Sequence, residues 1–540
     1  MNARDRNQGA SRRGLTGDTP TRDTTPSGGA TRPTPRGAKG RGKGGGESRP
    51  SARDRLSWRP DRRAIAIVLT VVVPLGLFVA ALRVEPEVHV DPVFATPDAP
   101  TMPYVAHDGR PTSTWFCPGV PVSGRGLGGV VTVANPLDTP LSGHLTTFTD
   151  AAGVASVEHD FDVQPRSTVE IDVKELQSEG TYVSTMVELT GGGGFVEQTS
   201  LHRDGDVVTP CANSASHTWY FADNYTLGTS KEDIVISNPY PDDAILNISF
   251  ASADGTREPN SLQGVPVKPY SVLIINQEQL AKDEAVYAVS LVASRGKVVA
   301  ARAQAYADER RGFSLSLGAP GASTEWWFAG GWKDGTNFER FSLYNPSEDD
   351  IRVQPVFLGV QDDNFANATD IIDIPAGRVV SFSLADAPSL PTGRHGVSFT
   401  SMEGIPFVAE MAVTKREGTG SVTTVVLGVQ QEFVNPGFYR WSMAVGPTAA
   451  VEEGLLVMNL SFNDATVTVY ALGPGGEVPV PGLESVKLGA GEIAALSIPE
   501  DPGSLGRPLV VVADQPIIVQ RLWTRNNDLA GRSASLAMPG

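Results

Sequence analysis

The feature that most constrains the fold is an internal repeat of about 105 residues. A tryptophan that opens each unit recurs after 104, 107 and 115 residues, and an asparagine that ends a hydrophobic run recurs after 103, 107 and 114. The tryptophans are Trp115, Trp219, Trp326 and Trp441, and the asparagines are Asn135, Asn238, Asn345 and Asn459. Because two separate markers keep the same period, four tandem units fill residues 111–540.

Each unit consists of short segments rich in Val, Thr, Ile and Phe, separated by turn residues every 8 to 12 positions. This pattern predicts an all-β fold of four immunoglobulin-like β-sandwich repeats. We number them module 1 (111–215), module 2 (216–322), module 3 (323–437) and module 4 (438–540). The alternative is a β-propeller with two blades per repeat, which is disfavoured because the two halves of a unit do not resemble each other.

The sequence before the repeats divides into three segments. Residues 1–63 hold 16 Lys/Arg and 6 Asp/Glu with almost no aliphatic residues, which predicts a disordered basic tail. Residues 64–82 contain no charge and reach about 28 Å as a helix, long enough for a transmembrane signal anchor. Residues 83–110 form a proline-rich linker.

The charges around the apolar segment predict its orientation. Arg59, Arg62 and Arg63 precede it, whereas only Arg83 follows closely. The positive-inside rule therefore places the N-terminus in the cytoplasm and the repeats outside, in a single-pass cell-membrane protein. A cleaved signal peptide is the alternative. We expect the tail to contact anionic lipid rather than nucleic acid.

Module 2 carries the segments "WYFADNYT", "DIVISNP", "VKPYSVLII" and "VVAARAQAY". These resemble a repeat of exported actinobacterial proteins, W-Y-F-A-E-G, N-P, P-x-S-R and V-V-A-E-R, which belong to a single-pass family of unknown function. Module 1 departs from it with "FCPG", and module 4 lacks the proline after Asn459. The resemblance implies an exported repeat protein and supplies no substrate.

Cys117 and Cys211, the two cysteines of the chain, both fall in module 1. In an oxidising compartment they predict a disulfide. Closing a loop of this length stabilises the fold by at most ~4–5 kcal/mol in the chain-entropy model. A catalytic thiol is the less favoured alternative.

No catalytic residue, metal ligand or cofactor site is predicted, because the usual hydrolase, zinc-protease and phosphate-loop motifs are missing from the sequence. The best lead for a ligand is aromatic. Sugar-stacking candidates are Trp332, Trp327, Tyr220 and Phe116. We expect the opening tryptophans, by contrast, to pack inside their modules. Trp332 has no counterpart tryptophan in the other units.

These observations predict a non-enzymatic, membrane-anchored scaffold or adhesion protein of the bacterial cell envelope. Cell-wall glycan or an envelope protein is the expected partner. A carbohydrate-binding protein is the main alternative, and a glycan-processing enzyme is the third. Modules stacked end to end would project far from the membrane.

Overall fold

The computed structural model describes residues 102–105, 112–278, 280–308, 310–360, 370–417, 420–524 and 532–540. The predicted tail, the segment 64–82 and most of the linker 83–110 lie outside these residues. Within them, no helix has the length and apolar character needed to cross a membrane. Strands account for 60% of the structure and helices for 3%, which confirms the all-β prediction.

Modules 1 and 2 together contain seventeen strands. Module 1 comprises β1 (Thr112–Pro121), β2 (Gly126–Asn135), β3 (Leu141–Thr149), β4 (Glu158–Val163), β5 (Ser167–Asp172), helix α1 (Val173–Leu176), β6 (Tyr182–Thr190), β7 (Phe195–His202) and β8 (Gly205–Pro210). Module 2 comprises β9 (Thr218–Asn224), β10 (Lys231–Asn238), β11 (Ala244–Ala251), β12 (Thr256–Arg257), a 3-10 turn (Asn260–Leu262), β13 (Val265–Val267), β14 (Ser271–Asn276), β15 (Tyr287–Arg295), β16 (Val299–Tyr306) and β17 (Arg310–Leu317).

Modules 3 and 4 together contain eighteen strands. Module 3 comprises β18 (Glu325–Lys333), β19 (Asn337–Tyr344), β20 (Ile351–Leu358), β21 (Ile372–Ile374), β22 (Val379–Ser383), a 3-10 turn (Leu384–Asp386), β23 (Gly393–Ser401), β24 (Val408–Glu417), β25 (Gly420–Leu427), β26 (Val429–Gln430) and helix α2 (Gln431–Val434). Module 4 comprises β27 (Phe438–Met443), β28 (Val451–Asn459), β29 (Ala465–Gly473), β30 (Gly476–Pro479), β31 (Val486–Leu488), β32 (Ile493–Ile498), β33 (Leu509–Thr524), β34 (Arg532–Leu536) and β35 (Met538–Pro539).

Module 1 folds into two antiparallel sheets that face each other, whereas one eight-stranded sheet spans modules 2 and 3 and the strands of module 4 join in one nine-stranded sheet through β33. In module 1 the first sheet has the order β1-β6-β3-β4 and the second β5-β2-β7-β8. Both sheets contribute to one core, with Trp115 from β1, Val131 from β2 and Val187 from β6. The strands of a sheet are not consecutive in the chain, so a module is not a pair of propeller blades built from four successive strands.

Alternation of apolar and polar residues fixes which side of a strand faces the core. In β11, Ala244, Leu246, Ile248 and Phe250 are buried, and the residues between them are partly exposed. Successive side chains of a strand point to opposite faces, so one face of β11 packs inside the sandwich. β29 of module 4 shows the same alternation.

The four opening tryptophans lie inside the modules. Trp115, Trp219, Trp326 and Trp441 are at most 2% exposed. In modules 2 to 4 the indole N–H donates, over 2.7–2.8 Å, to the backbone oxygen of Val298, Phe407 or Ile517. The buried ring therefore supplies apolar area while its single polar atom is satisfied.

The four recurrent asparagines share one hydrogen-bonding arrangement. Each side-chain nitrogen donates to the backbone oxygen four residues later and to a second oxygen about 30 residues later, and each side-chain oxygen accepts from the backbone N–H two residues on. The residues are Asn135, Asn238, Asn345 and Asn459, all buried. The asparagine thus fixes the turn that follows its own strand, and it links that strand to the other sheet.

The last strands of the modules meet at the centre of a closed ring. β17 pairs in parallel with β25, and β8 and β34 complete the circle through contacts with their neighbours. Module 1 consequently contacts module 4, where the backbone N–H of Val208 donates to the Ser533 hydroxyl over 3.0 Å. The end-to-end stack expected from the sequence is wrong, because the modules curve until the first reaches the fourth.

The segment 102–105 packs where the ring closes. The backbone N–H of Val105 donates to Pro539 of module 4 over 2.7 Å, and the Asn213 side chain of module 1 donates to Tyr104 over 3.0 Å. Met102 is buried against the core of module 4. The residues that enter module 1 therefore lie beside those that leave module 4.

Replacement of Asn345 by alanine leaves buried backbone groups without partners, so we expect a loss of about 2–3 kcal/mol in the free energy of unfolding. Urea unfolding followed by circular dichroism measures this loss. The control is Asn260→Ala, since Asn260 is exposed. Equal effects of the two substitutions would show that the recurrent asparagine has no special structural role.

Candidate functional site

Three of the four sugar-stacking candidates lie at the junctions between modules. Phe116 is buried in the core of module 2, Tyr220 packs against the core of module 3, and Trp327 packs against that of module 4. Each is the residue directly after an opening tryptophan. One residue of the pair therefore faces its own module and the next residue faces the neighbouring module, as alternation along a strand requires.

Trp332, the fourth candidate, is half-buried at the junction of modules 3 and 4. The Arg394 guanidinium lies 4.0 Å from the centroid of its ring, and Arg394 is paired with Glu453 of module 4 at 2.6 Å. A cation over an aromatic face is attracted to it, so this face of the indole is occupied.

The cleft beside Trp332 has a volume of about 110 Å³ and several acidic lining residues. Asp334 accepts hydrogen bonds from the backbone N–H groups of Thr336 and Asn337 at 2.7 and 2.9 Å. Slight burial opposes ionisation of Asp334, but these bonds outweigh it and lower its pKa. Glu339 is bonded to His395 at 3.1 Å. The carboxylates of Asp334 and Glu339 therefore form hydrogen bonds within the protein.

The position of Trp332 has an aromatic counterpart in module 2 that the sequence comparison missed. Tyr225 lies 107 residues earlier, and its backbone N–H donates to Glu232, as that of Trp332 does to Glu339. An arginine also lies over its ring, Arg310 at 4.2 Å from the centroid. Alignment on Asn238 and Asn345 reveals the equivalence, because Glu232 and Glu339 each precede these residues by six positions.

Two fully buried ion pairs join modules at alternate junctions. Arg302 of module 2 binds Glu410 of module 3 with N–O distances of 2.8 and 3.2 Å. Arg521 of module 4 binds Glu197 of module 1 with distances of 2.9 and 3.1 Å. Because each charge has been removed from water, loss of its partner leaves it uncompensated.

The same backbone contacts surround both pairs. Glu410 accepts the backbone N–H of Asp223 at 2.7 Å, and Arg302 donates to the Asp223 carbonyl. Glu197 accepts the backbone N–H of Val445 at 2.8 Å, and Arg521 donates to the carbonyl of the same residue at 3.3 Å. The ring therefore repeats a two-module unit, in which even modules supply the arginine and odd modules the glutamate.

Among the residues that the structure describes, no such buried pair joins modules 1 and 2 or modules 3 and 4. Gly330 of module 3 stands at the position that Val445 holds in module 4, four residues after the opening tryptophan. A Cβ at Gly330 would approach the Gln520 side-chain amide of module 4 to 2.5 Å. The absence of a side chain at Gly330 allows Gln520 to approach the backbone there.

Sequence reasoning missed these charges although a signal was present. Each lies near the middle of an apolar segment, in "FVEQ", "VVAAR", "FVAE" and "IIVQR". A single charge in a central strand is costly unless it is paired. Glutamate and arginine alternate from one module to the next in these segments. This alternation predicts ion pairs between neighbouring modules.

A further buried cluster adjoins the first ion pair. Arg340 of module 3 binds both carboxylate oxygens of Asp223, at 2.7 and 3.0 Å. Burial opposes ionisation of Asp223, but the Arg340 charge outweighs it and lowers its pKa. Burial raises the pKa of Glu232 to about 8. Asp223 and Glu410 balance the charges of Arg302 and Arg340, so a protonated Glu232 leaves the cluster neutral.

The structure joins Cys117 and Cys211 in a disulfide. Next to it, the backbone N–H of Phe116 donates to Ala212 over 2.6 Å, and that of Ala212 donates back over 2.8 Å. The bond thus ties the opening strand of module 1 to the segment that leads into module 2. Among the described residues, no group of three His, Cys, Asp or Glu side chains is arranged to hold a metal ion.

Residues 195–435 match the model of a family of unknown function, DUF5719. The matched region runs from β7 of module 1 to the end of module 3 and includes Glu197, Arg302 and Glu410. A search of curated proteins found no match to the chain.

Replacing Arg302 by methionine buries the Glu410 carboxylate without its cation, so we expect a loss of about 3–5 kcal/mol in the free energy of unfolding. The double variant Arg302→Met/Glu410→Met should recover most of this loss. Urea unfolding of the wild type, the two single variants and the double variant gives the coupling energy as a double-mutant cycle. Arg352→Met is the control, because Arg352 forms a surface pair with Glu403. Additive losses in the cycle would contradict coupling across the junction.

The raised pKa of Glu232 predicts a dependence of stability on pH. Between pH 4.5 and about 8 the unfolded chain has released a proton that the folded protein retains, so folding becomes less favourable as the pH rises through this window. Glu232→Gln removes this dependence and should raise stability relative to the wild type more at pH 8 than at pH 5. Thermal unfolding at both pH values tests this, with the exposed Glu258→Gln as the control.

Proposed function

We propose that the protein is a single-pass cell-envelope protein whose four modules form a rigid extracytoplasmic scaffold or adhesion platform. The observation that carries this proposal is ring closure through fully buried ion pairs between modules. The repeated tryptophans and asparagines also serve the fold, since they are buried and bonded within their modules. The uncharged segment 64–82 supports the anchor, and the disulfide suits an oxidising compartment.

The proposal includes immunoglobulin-like modules without enzymatic activity. The two facing antiparallel sheets of module 1, with their buried tryptophan, support the immunoglobulin-like description. The engagement of Asp334, Glu339 and Glu453 by protein groups supports a structural role for the most acidic cleft described. The resemblance to exported actinobacterial proteins is consistent with this assignment.

A carbohydrate-binding role is the second candidate, favoured by the cleft at Trp332. It combines a half-buried indole with the polar side chains of Asn337, Lys415 and Glu452. Sugars bind where an aromatic face adjoins convergent polar groups. Against this, Arg394 occupies one face of the indole.

The membrane topology is tested with a reporter enzyme that is active only outside the cytoplasm. Fused after residue 110, the reporter should be active; fused before residue 1, it should be inactive. Replacement of Leu75 and Leu77 by arginine should abolish export of the first fusion, because charges are costly in the bilayer core. Activity of the N-terminal fusion would contradict the proposed orientation.

The two candidate functions are separated by binding of the full chain to isolated cell-wall polysaccharide in a sedimentation assay. The scaffold proposal predicts that Trp332→Ala leaves any binding unchanged, as does the control Tyr439→Ala at an exposed aromatic residue. Saturable binding that is lost in Trp332→Ala alone would favour the carbohydrate-binding function instead.

A further inference from the structure

A cleft of about 410 Å³ between modules 1 and 2 has five basic side chains among its lining residues. They are Arg125, Arg203, Lys231, Arg310 and Arg311, and the acidic lining residues are Asp204 and Asp308. The cleft thus carries a net charge of +3 in a chain whose net charge is −17. Such a local reversal of sign concentrates anions from solution.

Equivalent turns of two neighbouring modules form this cleft. Arg203 lies in the turn between β7 and β8 of module 1, and Arg310 begins β17 after the corresponding turn of module 2. They are 107 residues apart, close to the repeat length of about 105 residues. Contact between β8 and β17 in the ring brings the two turns together.

The two acidic residues are already engaged. Asp204 binds Arg125, with one N–O distance of 2.8 Å, and also lies 3.3 Å from the His202 ring. Asp308 accepts the backbone N–H of Thr229 at 2.9 Å. Neither acid forms an ion pair with Arg203, Arg310 or Arg311 within the part of the chain that the structure describes.

Arg310 is oriented before any ligand arrives. Its guanidinium lies 4.2 Å from the centroid of the Tyr225 ring, which restricts its position through a cation–π contact. Its Nη1 atom is buried and has no hydrogen-bond acceptor among the described residues. The guanidinium is thus held in place at the wall of the cleft, and its planar N–H fork matches the paired oxygens of a phosphoryl group.

We propose that this cleft is a binding site for a phosphate-bearing ligand, with Arg310, Arg311 and Arg203 as the recognising groups. The planar N–H fork of arginine favours a phosphoryl group, whose several oxygens accept hydrogen bonds from more than one guanidinium. The proposal does not depend on the scaffold function or on the membrane anchor. Phosphate and phosphodiester share this chemistry, and the test distinguishes them.

The test is isothermal titration calorimetry on the full chain in a neutral detergent. The probes are inorganic phosphate, a short glycerol-phosphate polymer and, as a carboxylate polymer of similar charge, polygalacturonate. We expect saturable binding of a phosphate probe that the double variant Arg310→Gln/Arg311→Gln weakens at least about tenfold. The matched control Arg295→Gln removes an exposed arginine of module 2 outside the cleft and should leave the affinity unchanged.

Binding of inorganic phosphate would show that a free phosphate group is sufficient for recognition by the cleft. Binding of the glycerol-phosphate polymer alone would show that the cleft requires a phosphodiester chain. Equal affinity in the double variant, equal binding of polygalacturonate, or no saturable binding of either phosphate probe would overturn the proposal. If the double variant does not retain the wild-type melting temperature, Arg203→Gln, at an exposed position of module 1, provides the same comparison.

Discussion

A buried guanidinium that is neutralised by the neighbouring module is the interaction on which this ring depends. Arg302 and Arg521 are fully buried, and the carboxylate that each requires belongs to another module. Separating the modules would expose two apolar faces and leave these charges unpaired, which is costly. A single module therefore cannot neutralise its own buried charge, whereas the complete ring pairs each buried arginine with a carboxylate.

This constraint also organises the charge of the molecule. Acidic residues predominate outside the N-terminal tail, and a net charge far from zero favours solubility. At the junction of modules 2 and 3 the buried charges balance to zero when Glu232 is protonated. Positive charge gathers in the cleft between modules 1 and 2. The junctions thus differ in electrostatic character although the modules share one plan.

Local and recurrent features of the fold were predictable from the sequence. The tryptophan and asparagine markers located the modules because each performs the same task four times within a short stretch of chain. Ring closure was not predicted, since its contacts join residues 108 and 324 positions apart and depend on how each module is rotated against the next. The sequence offers Phe116, Tyr220 and Trp327 as candidates for sugar stacking because a residue that packs against a neighbouring module resembles an exposed residue when one module is considered alone.

The position of the segment 102–105 beside Pro539 has a consequence for the order of the modules. Entry to module 1 and exit from module 4 lie side by side, and the junction of modules 4 and 1 repeats the chemistry of the junction of modules 2 and 3. The order 3-4-1-2 would consequently build the same ring as 1-2-3-4. The architecture is therefore compatible with circular permutation.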